Sequence, residues 1–469
     1  MIGIETNWIW IDWLTVAMIS VVSIVGFVVL KFSLRYMGDD PGQKRFLGWI
    51  SYTLASVFTL LMANHLALFF LAWVSTSFGL HRLLTFYPDR PAAWLAARKK
   101  WIFSRLGDLF LLFAIYFIGQ DFGTLEIHEV LSKVGDASSL HPHAHTIAYL
   151  IMLGAITKSA QFPFHSWLPD TMEAPTPVSA FMHAGIVNAG GYLVVRLSPL
   201  IAVSPSAMLT LALIGAVTAA FGCIVMLTQT DIKKSLAYST IGQMGFMMVQ
   251  CGLGAFTAAL IHMVGHAFYK SYAFLSAAGS VASNQMVQEE KVAIRLNWKT
   301  LGFAFVVATL SVLGSLLCFN AIMGKAESLS PLHFVLLLSL AHFIFTALNL
   351  MLQPRYQGLL HRRLGVGFKM VMISFGVSML YLAIYHSINF WVDPILADFE
   401  SSAVGVLGRV LILVLFIIPF AIQVIMNDKH RPSFLSSIYV HFYNGFYLSG
   451  LIHRAIVRVW PLPKRSKSG

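Results

Sequence analysis

The stretch "LGAITKSAQFPF", residues 153–164, places Lys158 inside an apolar run and Pro163 five residues later. Proline has no backbone N–H to give and its ring crowds the carbonyl four residues back, so a helix carrying Lys158 is expected to break here. In a hydrocarbon core the freed backbone groups need protein or water as partners, which is the discontinuous-helix pattern of mid-membrane transport sites. A charge at that depth costs at least about 2.5 kcal/mol, so Lys158 is a functional candidate by default.

The rest of the chain decides that this run lies in a membrane. Its 469 residues are 57% hydrophobic and 11% charged, with a mean hydropathy of +0.74, which excludes a soluble domain. Apolar runs of about 18–25 residues recur from end to end, each long enough to cross a core of about 30 Å as a helix, whereas a β-barrel needs shorter alternating segments. The expected fold class is an all-α polytopic membrane protein of about thirteen spans, at approximately 13–36, 45–63, 66–84, 101–119, 146–166, 176–197, 207–229, 232–252, 255–281, 300–323, 332–353, 367–388 and 405–426. The first run follows Glu5 and Asp12 and ends at no small-residue cleavage site, so it reads as a span and not a signal peptide. Cys223, Cys251 and Cys318 lack CxxC spacing and read as buried, inert thiols, without a disulfide framework or a thiolate metal site.

The net charge of +12 would suggest nucleic acid in a soluble protein; between apolar runs it speaks of topology instead. Arg82, Arg90, Arg98, Lys99, Lys100 and Arg105, then Lys233 and Lys234, Arg355, Arg362 and Arg363, and Lys429 and Arg431 fall on one side when spans alternate. Acidic segments around Asp121 and Asp393 fall on the other, which predicts an outside N-terminus and a cytoplasmic C-terminus. Residues 1–430 read as one transmembrane bundle, and 431–469 as an amphipathic, basic segment on the cytoplasmic side. Its mixture of aromatics, His and Arg suits an interfacial helix or a partner's docking surface, and equally an aromatic belt with a basic anchor.

Further ionisable residues lie within the apolar runs. In "MEAPTPVSAFMHAGIVNAGG", residues 172–191, prolines start a helix that carries His183, and Gly185, Gly190 and Gly191 permit close packing around it. A lone buried histidine is more often a hydrogen-bonded core residue than a proton carrier, so His183 gains weight only from companions. "IHMVGHAFYK", residues 261–270, supplies them: His262, His266 and Lys270 at i, i+4 and i+8 share one helix face. Three readings stay open. H-x-x-x-H can bind zinc, but no Glu follows the first His and no third ligand is evident. A row of groups with similar proton affinities can pass a proton stepwise. Or each polar group is simply hydrogen-bonded in a helix interface. "FNAIMGKAESL" puts Lys325 and Glu327 at the end of another run, as a second buried lysine centre or as a lysine that snorkels. Asp108, in "SRLGDLF" near an expected helix start, pairs with Arg105 or caps free amides on the plain structural reading.

At "KSAQFPFHSWLPDTMEAPTPVSAFMHAG" (158–185), "TDIKKSLAYSTIGQMGFM" (230–247) and "HMVGHAFYKSYAFL" (262–275) the chain resembles the proton-conducting antiporter-like membrane subunits of respiratory complex I and the Mrp antiporters. The match runs over about residues 10–330, and motifs of this length are specific for the family though not for one member. The resemblance implies two inverted five-helix repeats, each with a broken helix bearing a lysine, joined by a hydrated histidine–lysine axis. It assigns the proton pathway to Lys158, His183, His262, His266, Lys270 and Lys325, with Glu327 beside the last, and equates Asp108 with the aspartate of an R-x-G-D motif. Pumping members carry an acid in a G-W-E motif against the broken-helix lysine; here Val74 stands in that place. The chain resembles the family from its third helix onward, without the long lateral helix of the complex I subunit.

With the acid absent, the DabB type, from inorganic-carbon accumulation complexes, is the most similar. That likeness implies a proton-conducting subunit, not itself an enzyme, in a bacterial inner membrane. It implies a DabA-type, zinc-containing cytoplasmic partner that hydrates CO2 to bicarbonate, allows a second membrane subunit, and places no cofactor or metal in this chain. The alternatives are a proton-translocating subunit of an NADH-quinone oxidoreductase and an Mrp-type sodium/proton antiporter.

Overall fold

The computed structural model describes residues 4–135, 141–282, 298–323, 331–351, 360–392, 395–397, 405–426 and 433–460. The described residues are almost wholly helical; a two-stranded antiparallel ladder of β1 (Ile4–Glu5) and β2 (Trp10–Ile11) precedes the first helix. The chain forms two compact units, one of Met1–Gln285, Pro394–Val404 and His441–Gly469, the other of Met286–Asp393 and Gly405–Val440.

In the first unit the helices are α1 (Trp13–Tyr36), α2 (Gln43–Met62), α3 (Leu66–Leu84), α4 (Pro91–Phe122), α5 (Ile127–Gly135), α6 (Ala144–Lys158), α7 (Trp167–Asp170), α8 (Thr176–Ala184), α9 (Ala189–Arg196), α10 (Ser198–Ala202), α11 (Pro205–Thr228), α12 (Ile232–Gly252) and α13 (Phe256–Ala282). The second unit holds α14 (Trp298–Met323), α15 (Pro331–Met351), α16 (Leu360–Val392) and α17 (Gly405–Met426). Its core interleaves Ala304, Ala308 and Val312 of α14 with Ala341, Ile344 and Phe345 of α15. Two short helices, α18 (Ser433–Tyr443) and α19 (Leu448–Val459), come last.

Among the described residues eight helical segments are long and apolar enough to cross a membrane. The expected count of thirteen is therefore not reached on that criterion, although a helix lies over each expected span. Helix starts follow local chemistry. Asp12 caps α1 by accepting from the Thr15 amide at 2.8 Å, Asp231 caps α12 by accepting from Lys234 at 2.7 Å, and Pro91 and Pro205 open α4 and α11, where a missing N–H is harmless. The polarity of α4 is inverted relative to a soluble helix. On α4, Leu109, Leu112, Phe113 and Tyr116 form an exposed apolar stripe, while Asp108, Leu111 and Ile115 are buried, as expected where the surroundings are hydrocarbon.

Three expectations are corrected. Helix α4 begins at Pro91, not near residue 101, so Asp108 sits in mid-helix and Arg98, Lys99 and Lys100 are helical and buried, not loop charges. The span expected over 176–197 is interrupted: α8 ends at Ala184, Gly185 takes φ −118° and ψ −66°, and a 3-10 turn over Ile186–Asn188 leads into α9. Gly185 is thus a break and not a packing site. Of the cysteines, Cys251 is buried, Cys223 partly so, and Cys318 exposed, contrary to the expected burial of all three.

Candidate functional site

Helix α6 ends at Lys158, five residues before Pro163. Ala160 takes φ +50°, in the left-handed region, and the connection continues through a 3-10 turn at Phe164–Ser166, α7, and a second 3-10 turn at Thr171–Glu173. The released groups are satisfied within the protein. The Phe162 amide donates to Thr218 Oγ1 at 2.9 Å, Gln161 N to the Ile156 carbonyl at 3.0 Å, and Ser159 Oγ to the Val187 carbonyl at 2.7 Å. This is how a broken helix persists in an apolar setting. Gly190 on α9 lets the two broken helices approach, since a Cβ there would stand 2.4 Å from the Ala155 carbonyl.

The break leaves Lys158 pointing into α3. Its Nζ donates to Ser77 Oγ at 2.7 Å, to Thr76 Oγ1 at 3.1 Å and to the Trp73 carbonyl at 3.1 Å. The Trp73 ring lies 4.3 Å away, a cation–π distance. All these acceptors are neutral. The carboxylate is one step removed: Trp73 Nε1 donates to Asp108 Oδ1 at 3.0 Å, and Arg105 holds Asp108 Oδ2 at 2.6 Å. Gly107 makes this arrangement possible, because a Cβ there would meet Thr157 Oγ1 at 2.2 Å and push α4 away from α6. Val74 is half-buried and is not among the groups hydrogen-bonded to the lysine.

A second polar cluster joins α8, α12 and α13. His183 Nδ1 lies 2.9 Å from Thr240 Oγ1, and its ring stacks on Phe274 at 4.4 Å. Thr240 donates to the Leu236 carbonyl at 3.1 Å, and Lys270 Nζ donates to the same carbonyl, also at 3.1 Å. His183 and Lys270, 87 positions apart in sequence, are thereby linked through one turn of α12. His262 Nδ1 meets Gln250 Oε1 at 2.9 Å, and the His262 and His266 rings stand 6.2 Å apart. Among the described residues, both nitrogens of His266, and Nε2 of His183 and of His262, are buried without a protein partner. Each of these atoms retains an unused hydrogen-bonding capacity in an enclosed site.

The structure thus brings together His183 of α8 and His262, His266 and Lys270 of α13, linked through α12, and sets Lys158 and Asp108 about Trp73. Lys325 and Glu327 lie outside the described residues. Among the described residues no cluster of three or more His, Cys, Asp or Glu side chains has the geometry to hold a metal ion. Sequence reading passed over Trp73, Thr76, Ser77, Thr240 and Gln250, whose polar groups orient the titratable ones. Only their hydroxyls and amide inside apolar runs could have flagged them.

Residues 63–348 match the family model described as NADH:quinone oxidoreductase/Mrp antiporter, transmembrane, and residues 7–47 that of the complex I chain 5 N-terminus. The chain is 36% identical to a probable inorganic carbon transporter subunit DabB2 of Halothiobacillus neapolitanus, over 99% of this chain and 84% of the relative. It is 34% identical to the probable inorganic carbon transporter subunit DabB of Hydrogenovibrio crunogenus, over 99% and 86%. NADH-quinone oxidoreductase subunit L of Mycobacterium tuberculosis is 36% identical but matches 63% of this chain and 48% of its own length. The structure of the Mrp complex from Dietzia sp. DQ12-45-1b superposes with a TM-score of 0.65 at 24% identity, over 99% of this chain and 55% of that one, a likeness of fold.

Proposed function

Because the chain belongs to the NADH:quinone oxidoreductase/Mrp antiporter family of membrane subunits, we propose that it is the proton-conducting membrane subunit of an energy-coupled inorganic carbon uptake complex. The observation that carries this reading is the similarity to two inorganic carbon transporter subunits along 99% of the chain. The setting of Lys158 supports it: among the described residues the amine rests on neutral oxygens and has no carboxylate in direct contact, so its proton is not held there by an adjacent opposite charge.

In this reading protons pass between Lys158 and the cluster of His183, His262, His266 and Lys270, and onward to Lys325 and Glu327. His183 and His262 each offer one ring nitrogen to a fixed partner and the other to an incoming proton, and His266 between them offers both. Asp108, fixed by Arg105 and Trp73, balances charge near Lys158 without touching it. The chain itself performs no covalent chemistry. The complex resides in a bacterial inner membrane, with the C-terminus cytoplasmic by the positive-inside rule. A cytoplasmic zinc protein of the DabA type converts CO2 and water to bicarbonate and a proton, and proton flow through this chain drives that reaction in one direction.

The test is to express the tagged chain with its co-purifying partner in cells that need elevated CO2, and to measure labelled inorganic carbon uptake with and without a protonophore. Uptake that depends on the complex and collapses with the gradient is expected. Co-purification of a flavin and iron–sulfur assembly, or uptake indifferent to the protonophore, would overturn the assignment.

A further inference from the structure

Lys100 is a buried cation that the pathway above leaves unused. Only 3% exposed, it reaches from α4 to α3, where its Nζ donates to the carbonyl of Ser77 at 2.8 Å. Ser77 is also the residue whose hydroxyl accepts from Lys158 at 2.7 Å. Two lysine amines, from α4 and α6, therefore converge on one residue of α3. One turn along α3 from Ser77 lies His81, whose ring donates to the carbonyl of Ala97. Ala97 is one turn before Lys100 on α4. The other ring nitrogen of His81, Nδ1, is buried without a protein partner. The polar groups between α3 and α4 thus form a file, Lys158, Ser77, Lys100, His81, that runs toward the C-terminal end of α3, where the half-buried His81 is the outermost member.

The charges facing this file are few. From α4 come Arg105 and Asp108, already paired with each other; from α3 comes Arg82, whose guanidinium stacks over Trp49 and Phe78. The carboxylate that acts on both lysines is Asp108, and Arg105 has engaged it. Two ammonium groups that close, with one shared and already occupied counter-charge, repel strongly in a poorly polarisable interior. Holding one proton between them relieves that repulsion.

We propose that Lys100 and Lys158 share a single exchangeable proton across Ser77, and that His81 is the outer station through which this pair exchanges protons with the membrane face at the end of α3. The inference rests on the reading of the chain as a proton conductor. In each transfer one N–H bond breaks at the donor and one forms at the acceptor, the positive charge moves with the proton, and no electrons are exchanged. Ser77 fixes the two amines, its hydroxyl accepting from Lys158 and its carbonyl from Lys100, and the proton passes from the ammonium to the lone pair of the neutral amine while Ser77 keeps its own.

The test uses the full chain with its co-purifying partner in vesicles that enclose a pH-sensitive dye, under an imposed proton gradient. Lys100→Arg retains charge and donors but cannot release a proton, and Lys100→Met removes both; each is expected to lower proton flux by about tenfold or more. Lys100→His restores a titratable group and should recover part of the flux. His81→Gln keeps a donor for the Ala97 carbonyl yet cannot titrate, and should lower flux by about threefold or more. Native flux in Lys100→Arg would show that Lys100 is only a structural donor to Ser77, and native flux in His81→Gln would remove the outer station; either overturns the proposal. Should Lys100→Met fail to fold, the Arg and His variants decide. A native chain that conducts no better than Lys158→Met overturns the function reading and this inference with it, whereas a conducting native chain with indifferent Lys100 variants overturns this inference alone.

Discussion

Two buried cations in the first unit are treated in opposite ways. Arg196, at the end of α9, meets Asp12 at the start of α1 through two contacts, Nη1 to Oδ2 at 2.5 Å and Nη2 to Oδ1 at 3.1 Å, and also reaches Thr15 Oγ1 and the Tyr192 hydroxyl. Every part of that guanidinium faces a partner, and a carboxylate cancels its charge. Lys158 is equally enclosed but faces two hydroxyls and a carbonyl. The first arrangement fixes a permanent charge and clamps α1 to α9; the second holds an amine in place in either protonation state. On the proposed pathway, a structural cation and a conducting one therefore differ in whether the counter-charge is in direct contact, not in how deeply they are buried.

The comparison breaks most sharply at Lys158. Lys158→Met removes the titratable amine at similar length and is expected to bring inorganic carbon uptake to background while the protein still inserts and binds its partner. Normal uptake by a well-expressed variant would end the assignment of the pathway. Lys270→Met, which frees the Leu236 carbonyl shared with Thr240, should lower uptake by about tenfold or more without lowering the thermal midpoint. A lower midpoint with uptake retained would make Lys270 a second structural cation.

Arg196→Met should do the reverse. It strands Asp12 in a buried site and is expected to cost about 3–5 kcal/mol of stability, read as a lowered unfolding midpoint, with the uptake rate per folded molecule unchanged. Adding Asp12→Asn should recover much of that loss, because the two changes act on one interaction.

A smaller effect sharpens the contrast. Val74→Glu would give Lys158 the direct carboxylate that Arg196 enjoys, and a lysine so paired hands on its proton less readily. Uptake slowed about two- to fivefold, with assembly intact, is expected, and no further loss should appear when Val74→Glu is added to Lys158→Met. An undiminished rate in the single variant would show that the missing acid does not govern the lysine.

The smallest effect lies outside the spans, where Tyr87 donates to Asp40 Oδ2 at 2.6 Å. That hydrogen bond, with the Gly42 amide, lowers the Asp40 pKa, and burial together with Asp40 raises that of Tyr87 to about 12. A lowered carboxyl pKa stabilises the fold above the ordinary value near 4 and is lost as pH falls through the shifted one; a raised phenol pKa stabilises it below about 10 and is lost as pH rises toward about 12. Tyr87→Phe should flatten both limbs of the stability–pH curve and barely move the midpoint at neutral pH, since the pair is largely solvated. A large shift at neutral pH would contradict this.

Much of the helical frame was legible from hydropathy, because crossing an apolar layer demands runs of a set length; the true start of α4 at Pro91 was not, because its first turns carry charges. The break after Lys158 was legible from Pro163, and the stripe of His262, His266 and Lys270 from a spacing of four. The second break, at Gly185, was not, since glycine in a membrane helix serves close packing as readily as interruption. Lys99 and Lys100 read as loop charges because a lysine pair at the edge of an apolar run is the usual mark of a membrane face. Their burial depends on groups far along the chain: Asp170 and Ser449 for Lys99, Ser77 for Lys100.

The sequence by itself determined that this chain is a membrane bundle, roughly where its apolar helices run, and that Lys158, His183, His262, His266 and Lys270 lie inside them, because transfer of side chains into hydrocarbon is a local property of each segment. Only the tertiary structure decided which of those groups are compensated. Arg196 finds Asp12 at a separation of 184 residues, Lys158 finds Ser77 at 81, and the link from His183 to Lys270 runs through Leu236 and Thr240 of a third helix. The charge state of a buried group is set by the oxygen atoms within about 3 Å of it, and here those atoms come from other helices.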